Sequence, residues 1–164
     1  ALARLPEDVR LTLVDSPESE AQKWATELGC RDRLDLAGRV PQEELIRLYR
    51  SATVVIVPSR YEGFGLPAAE AMACGTPVVS TDAGALAEVM ATGRGGPTVP
   101  RDDPAALADA VQELLGAPEH RQRLGEDARA RIVEAYAWPS VARRTADVYR
   151  DVVRGRSRAS TRVR

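Results

Sequence analysis

Two carboxylates and two glycines in one short stretch carry the chemistry of this sequence. Glu62 and Glu70 are separated by seven residues, and between them stand Gly63, Phe64, Gly65 and Leu66. A glycine lets backbone approach a ligand closely, because no Cβ stands in the way. A carboxylate accepts hydrogen bonds from sugar hydroxyls. Two carboxylates repel a bare phosphate, but they suit a ligand that carries hydroxyls as well. A nucleotide sugar has both features, a diphosphate and two sugars. Spacing alone leaves a blander reading open, in which Gly63-Phe64-Gly65 is an ordinary turn and Glu70 an exposed helix residue.

The flanking elements decide where these groups would sit. Thr53 to Val57 is an apolar, β-branched run that reads as a buried strand, stopped by Pro58 and Ser59. Leu66 and Pro67 start a helix of strong formers, Ala68 to Ala73, with Pro67 suited to the first turn. Gly75 ends it, and Pro77 to Ser80 begins the next strand. The order is strand, Gly-rich loop, helix N-terminus, and unpaired N–H groups and the positive helix end meet at that loop.

The whole stretch EGFGLPAAEAMACGTPVV resembles the signature of the retaining, nucleotide-sugar-dependent glycosyltransferases of family 4, which have the GT-B fold. The resemblance implies that Glu62 contacts donor-sugar hydroxyls at the catalytic centre. The backbone of Gly63, Phe64, Gly65 and Leu66 would approach that sugar and the diphosphate, and Glu70 would hold the ribose hydroxyls. The segment Gly38-Arg39-Val40-Pro41 also matches, which implies base contacts from the peptide groups of Arg39 and Val40. A strand end with a solvated Arg39 is the plainer alternative. Gly84 and Glu88 match a later Gly-rich segment, and Tyr136-Ala137-Trp138 with Tyr149 match the family's terminal pattern. One departure is the turn after the first strand, where Asp15-Ser16 replace two glycines.

Strands alternating with helical patterns give an α/β fold, a Rossmann-like parallel sheet with helices on both faces. By resemblance this is the C-terminal, donor-binding half of a GT-B enzyme. Its first strand, bearing an Arg and a Lys for the diphosphate, would precede Ala1, as would the N-terminal acceptor domain. The expected domain is 1–153, followed by a basic tail, 154–164, read as disordered. Ala1 to Leu5 read as the end of a helix. The inward faces expected of the helices are Ala21, Trp24, Ala25 and Leu28; Leu45, Leu48, Tyr49 and Ala52; Leu107, Val111, Leu114 and Leu115; Leu124, Ala128 and Val133; and Val141, Thr145, Val148, Tyr149 and Val152. Asp102-Asp103-Pro104 reads as a helix cap, Thr81 and Asp82 as a strand end with either a ligand or an N-cap role, and Gly96 to Pro100 as an edge strand.

Composition narrows the classes further. The 164 residues are 44% hydrophobic and 29% charged, ordinary for a globular domain. A net charge of −1 argues against a nucleic-acid partner. Cys30 and Cys74 have no metal-ligand spacing and read as free thiols of a reducing compartment, so the expected location is cytoplasmic. His120 reads as a surface residue. No metal and no cofactor are expected beyond the donor itself. Lys23 is the only Lys, which reads as a coding bias. No apolar run is long enough to span a membrane. The six Arg from Arg150 to Arg164 leave two readings, a solvated tail or peripheral contact with an anionic membrane surface. The functional expectation is hexose transfer from a nucleotide diphosphate sugar, with the chain inactive alone. The alternative is a non-catalytic α/β module that binds or regulates a partner protein.

Overall fold

A computed structural model describes residues 1–15, 17–90 and 94–154. Ser16, part of the expected Thr92–Gly96 turn, and the tail from 155 lie outside the described residues. The strands are β1 (Leu11–Val14), β2 (Leu34–Gly38), β3 (Val55–Val57), β4 (Val78–Thr81) and β5 (Thr98–Val99). The helices are α1 (Glu18–Glu27), α2 (Gln42–Ser51), α3 (Leu66–Ala73), α4 (Leu86–Met90), α5 (Pro104–Gly116), α6 (Pro118–Tyr136) and α7 (Trp138–Val153). Every strand pair is parallel, and all but the last strand are followed by one helix. The hydrogen-bonded ladders form two groups, β1-β2 and β3-β4-β5. β5 is the edge its flanking prolines predict.

β4 shows why both faces need helices. Val78 packs with α3, α4 and α6 residues, including Met72, Leu86, Met90 and Ala128. Val79 points the other way, into Val99, Leu107, Val111 and Leu114 of β5 and α5. Both valines are fully buried. Burying one such side chain stabilises the fold by roughly 1.5–3 kcal/mol. A smaller core of Ala25, Cys30 and Leu34 underlies β1 and β2.

Three helix faces differ from the sequence expectation. On α1, Ala25 is buried while Trp24 and the C-cap residue Leu28 are more than half exposed. Lys23 Nζ stands 5.8 Å from the Trp24 ring instead. On α6 the inward row is Leu124, Ala128 and Ile132, at strict four-residue spacing; Val133 falls one position round and is exposed. α7 has no buried residue, and Tyr149 and Val152 of its expected inward face are about 70% exposed. The first residues form a 3-10 turn, Leu2–Arg4. Its carbonyl at Leu2, with those of Leu5 and Pro6, accepts hydrogen bonds from the Arg33 guanidinium.

Candidate functional site: the β3–α3 loop

The site forms because α3 begins where the sequence places it. Gly65 is the N-cap with φ of 91°, a left-handed conformation that favours glycine, and Leu66 and Pro67 follow in the first turn. No side chain caps this helix end. Its first N–H groups therefore point at the loop without an intrachain side-chain acceptor, the arrangement that binds anions. Gly63 has open space where a Cβ would stand, so nothing in the chain itself demands glycine there. Phe64 meets Tyr136 edge-on, ring centroids 5.4 Å apart, which ties the loop to the end of α6.

Each carboxylate is held by a hydroxyl. Ser59 Oγ donates to Glu62 Oε1 at 3.0 Å, and the Ser59 carbonyl in turn accepts from Thr81 Oγ1 of β4. Tyr49 of α2 donates its phenol to Glu70 Oε2 at 3.2 Å. Burial first, then the Glu70 charge and hydrogen bond, push the Tyr49 phenol far above its ordinary value, so it remains a donor. The Glu62 backbone is fixed from the far side. Ala85 N–H donates to the Glu62 carbonyl at 3.1 Å, and a Cβ on Gly84 would lie 2.3 Å from that carbonyl oxygen. Thr81 and Gly84 thus support the loop from the end of β4. Asp82 pairs with Arg101 at 3.0 Å.

Arg39 and Val40 lie just past the carboxyl end of β2, where ligands bind in open α/β sheets. The Arg39 side chain is exposed, and its partner is Asp15 at 3.3 Å, not a residue of the signature loop. Asp15 itself has φ of 48°, and its N–H donates to the Gly38 carbonyl. The left-handed turn that glycine would make after β1 is therefore kept, with an Asp, which tolerates that conformation better than most residues. Asp103 accepts from the N–H groups of Ala105 and Ala106, the expected cap of α5. Tyr49, Ser59 and the backing by Gly84 are absent from any spacing rule. Only the helical face that includes Tyr49 could have pointed inward to them.

The chain belongs to the glycosyl transferases group 1 family, whose model matches residues 1–131. The structure is a Rossmann-like α/β fold with parallel strands flanked by helices, and its solved neighbours are GT-B glycosyltransferases. Among curated relatives it is 41% identical to the MMP alpha-(1->4)-mannosyltransferase of Mycolicibacterium hassiacum, over 93% of this chain and 38% of that protein. It is 43% identical to the D-inositol 3-phosphate glycosyltransferase of Frankia alni, over 78% of this chain and 31% of that protein. The solved sucrose-phosphate synthase of Thermosynechococcus elongatus is 34% identical, with a TM-score of 0.79, over 89% of this chain and 39% of the other. HepE of Anabaena, solved in complex with UDP, has the same fold at 23% identity, with a TM-score of 0.83 over 92% of this chain and 43% of HepE. The chain thus spans under two-fifths of the length of the curated relatives named here.

Proposed function

We propose that this chain is the donor-binding part of a retaining hexosyltransferase of the family 4 type. Its donor is a nucleotide diphosphate sugar. One observation carries the reading: an uncapped helix N-terminus lies between two carboxylates, each held on one oxygen by a hydroxyl and left with the other for a ligand. A diphosphate answers the helix end, and two sugars answer the two carboxylates.

Glu70 receives the ribose hydroxyls, and Glu62 the hydroxyls of the sugar to be transferred. The peptide groups of Gly63, Phe64, Gly65 and Leu66 approach the donor sugar and the diphosphate, and those of Arg39 and Val40 meet the base. The helix end stabilises charge as it builds on the departing diphosphate, which is the costly part of the transfer. Hydrolysis by paired carboxylates fits less well, because those must flank a single bond. Here one carboxylate is on the loop and the other a turn inside the helix, which suits gripping two parts of one extended donor.

Calorimetric titration with UDP, GDP and ADP, and then with their sugar conjugates, tests this. One diphosphate should bind selectively. Glu70→Ala should weaken the diphosphate itself, by about tenfold for a lost charged hydrogen bond. Glu62→Ala should remove mainly the extra affinity of the sugar conjugate. Unchanged binding in both variants would sink the assignment.

A further inference from the structure

Tyr49 stands 21 residues before Glu70, on a different helix, yet three features tie it to the α3 segment. Its phenol donates to Glu70 Oε2. Its carbonyl accepts from Thr76 Oγ1 at 2.6 Å, and Thr76 is buried just after α3 ends. Its ring packs against the main core. The carbonyl contact and the ring packing would survive replacement by Phe. The hydroxyl serves a separate purpose, because among the described residues its hydrogen bond goes to a carboxylate.

We infer that Tyr49 is a positioning residue, whose phenol holds the Glu70 carboxylate in the orientation that receives the ribose of a nucleoside diphosphate. The inference rests on the ribose reading of Glu70 given above. A Glu side chain on a helix turns about three soft bonds, and ordering it on binding costs affinity. A hydrogen bond already made to Oε2 removes much of that cost and leaves Oε1 for a ribose hydroxyl. The phenol cannot compete as an acid, since burial and the neighbouring charge keep it protonated. No other side chain donates to Glu70 among the described residues.

The test compares wild type, Tyr49→Phe, Glu70→Ala and the double variant. Each is titrated with UDP, GDP and ADP, and the tightest of the three is then compared with its 2′,3′-dideoxyribose counterpart. Tyr49→Phe should weaken the ribonucleotide by about three- to tenfold, leave the dideoxy form unchanged and add nothing to Glu70→Ala. Its melting temperature should stay close to that of wild type, since the ring and both of its structural contacts remain. If Tyr49→Phe binds the ribonucleotide as wild type does, or loses both forms equally, while Glu70→Ala abolishes the ribose preference, the Tyr49 inference alone is overturned. If wild type does not discriminate ribose from dideoxyribose, or Glu70→Ala still does, the ribose reading of Glu70 fails first. If none of the three diphosphates binds, the donor reading itself is overturned and the inference falls with it.

Discussion

Gly84 is the residue on which the position of Glu62 most directly depends. Its φ of 52° is unfavourable for any side chain, and a Cβ would stand 2.3 Å from the Glu62 carbonyl oxygen. Gly84→Ala must therefore push the Glu62 peptide outward and break the 3.1 Å bond from Ala85 N–H. The expected outcome is loss of the sugar-dependent part of donor affinity, with the nucleotide-dependent part retained, read by comparing a nucleoside diphosphate with its sugar conjugate. Ser59→Ala should act in the same direction and more weakly, because it frees only one oxygen of Glu62. A deficit that falls equally on nucleotide and nucleotide sugar would contradict this division of labour. In the sequence Gly84 stands out only through its match to the family. Its steric role becomes visible once the end of β4 is seen against the β3–α3 loop.

α6 anchors the two short helices next to the site. Gly125 lies against the Gly75 turn, where an added Cβ would meet the Gly75 carbonyl oxygen at 2.1 Å. Neither partner can yield, since both are backbone. Gly125→Ala should cost about 1–3 kcal/mol by overpacking, visible as a lowered midpoint in thermal or denaturant unfolding. Further along, Arg129 donates to the Ala73 carbonyl at the end of α3, and Arg131 to the Glu88 and Val89 carbonyls of α4. These guanidinium groups satisfy orphan carbonyls at two helix ends. The β1–β2 ladder has its own clamp, in which Arg10 Nε and Nη2 grip both oxygens of Asp35. The Arg10 hydrogen bond holds the Asp35 carboxyl below its ordinary value. A depressed folded-state value means that this contribution is present above the unfolded carboxylate range and is lost as pH falls through the folded value. Because both side chains of the pair are exposed, the effect should be small and suppressed by salt. Asp35→Asn should remove that acid-dependent step in a melting-temperature profile.

At the scale of the whole molecule, the chain spans under two-fifths of the length of the curated relatives it matches. Transfer needs an acceptor site, and the donor reading places none on these residues. The purified 164-residue chain should bind nucleotide yet give no measurable sugar release or transfer, and turnover by it alone would overturn that expectation. Among the described residues no helix is long and apolar enough to cross a membrane. Local chemistry was legible in the sequence wherever one residue type suffices. Leu66 and Pro67 mark the start of α3, Asp103 caps α5, and alternating strand and helix patterns gave the α/β class. The candidate carboxylates were legible too, because their spacing lies within a single loop and helix. Tertiary structure alone decided which helix residues face inward, since Trp24, Val133 and Tyr149 fit the periodicity but found no surface to cover them. It also decided what holds the carboxylates. Ser59 lies three residues before Glu62 in the same loop, but Tyr49 comes from α2 and Gly84 from the loop after β4, and no local rule of spacing can bring those two to the β3–α3 loop. That convergence depends on how the helices close over the parallel strands, a property of the packed chain and not of any one stretch of it.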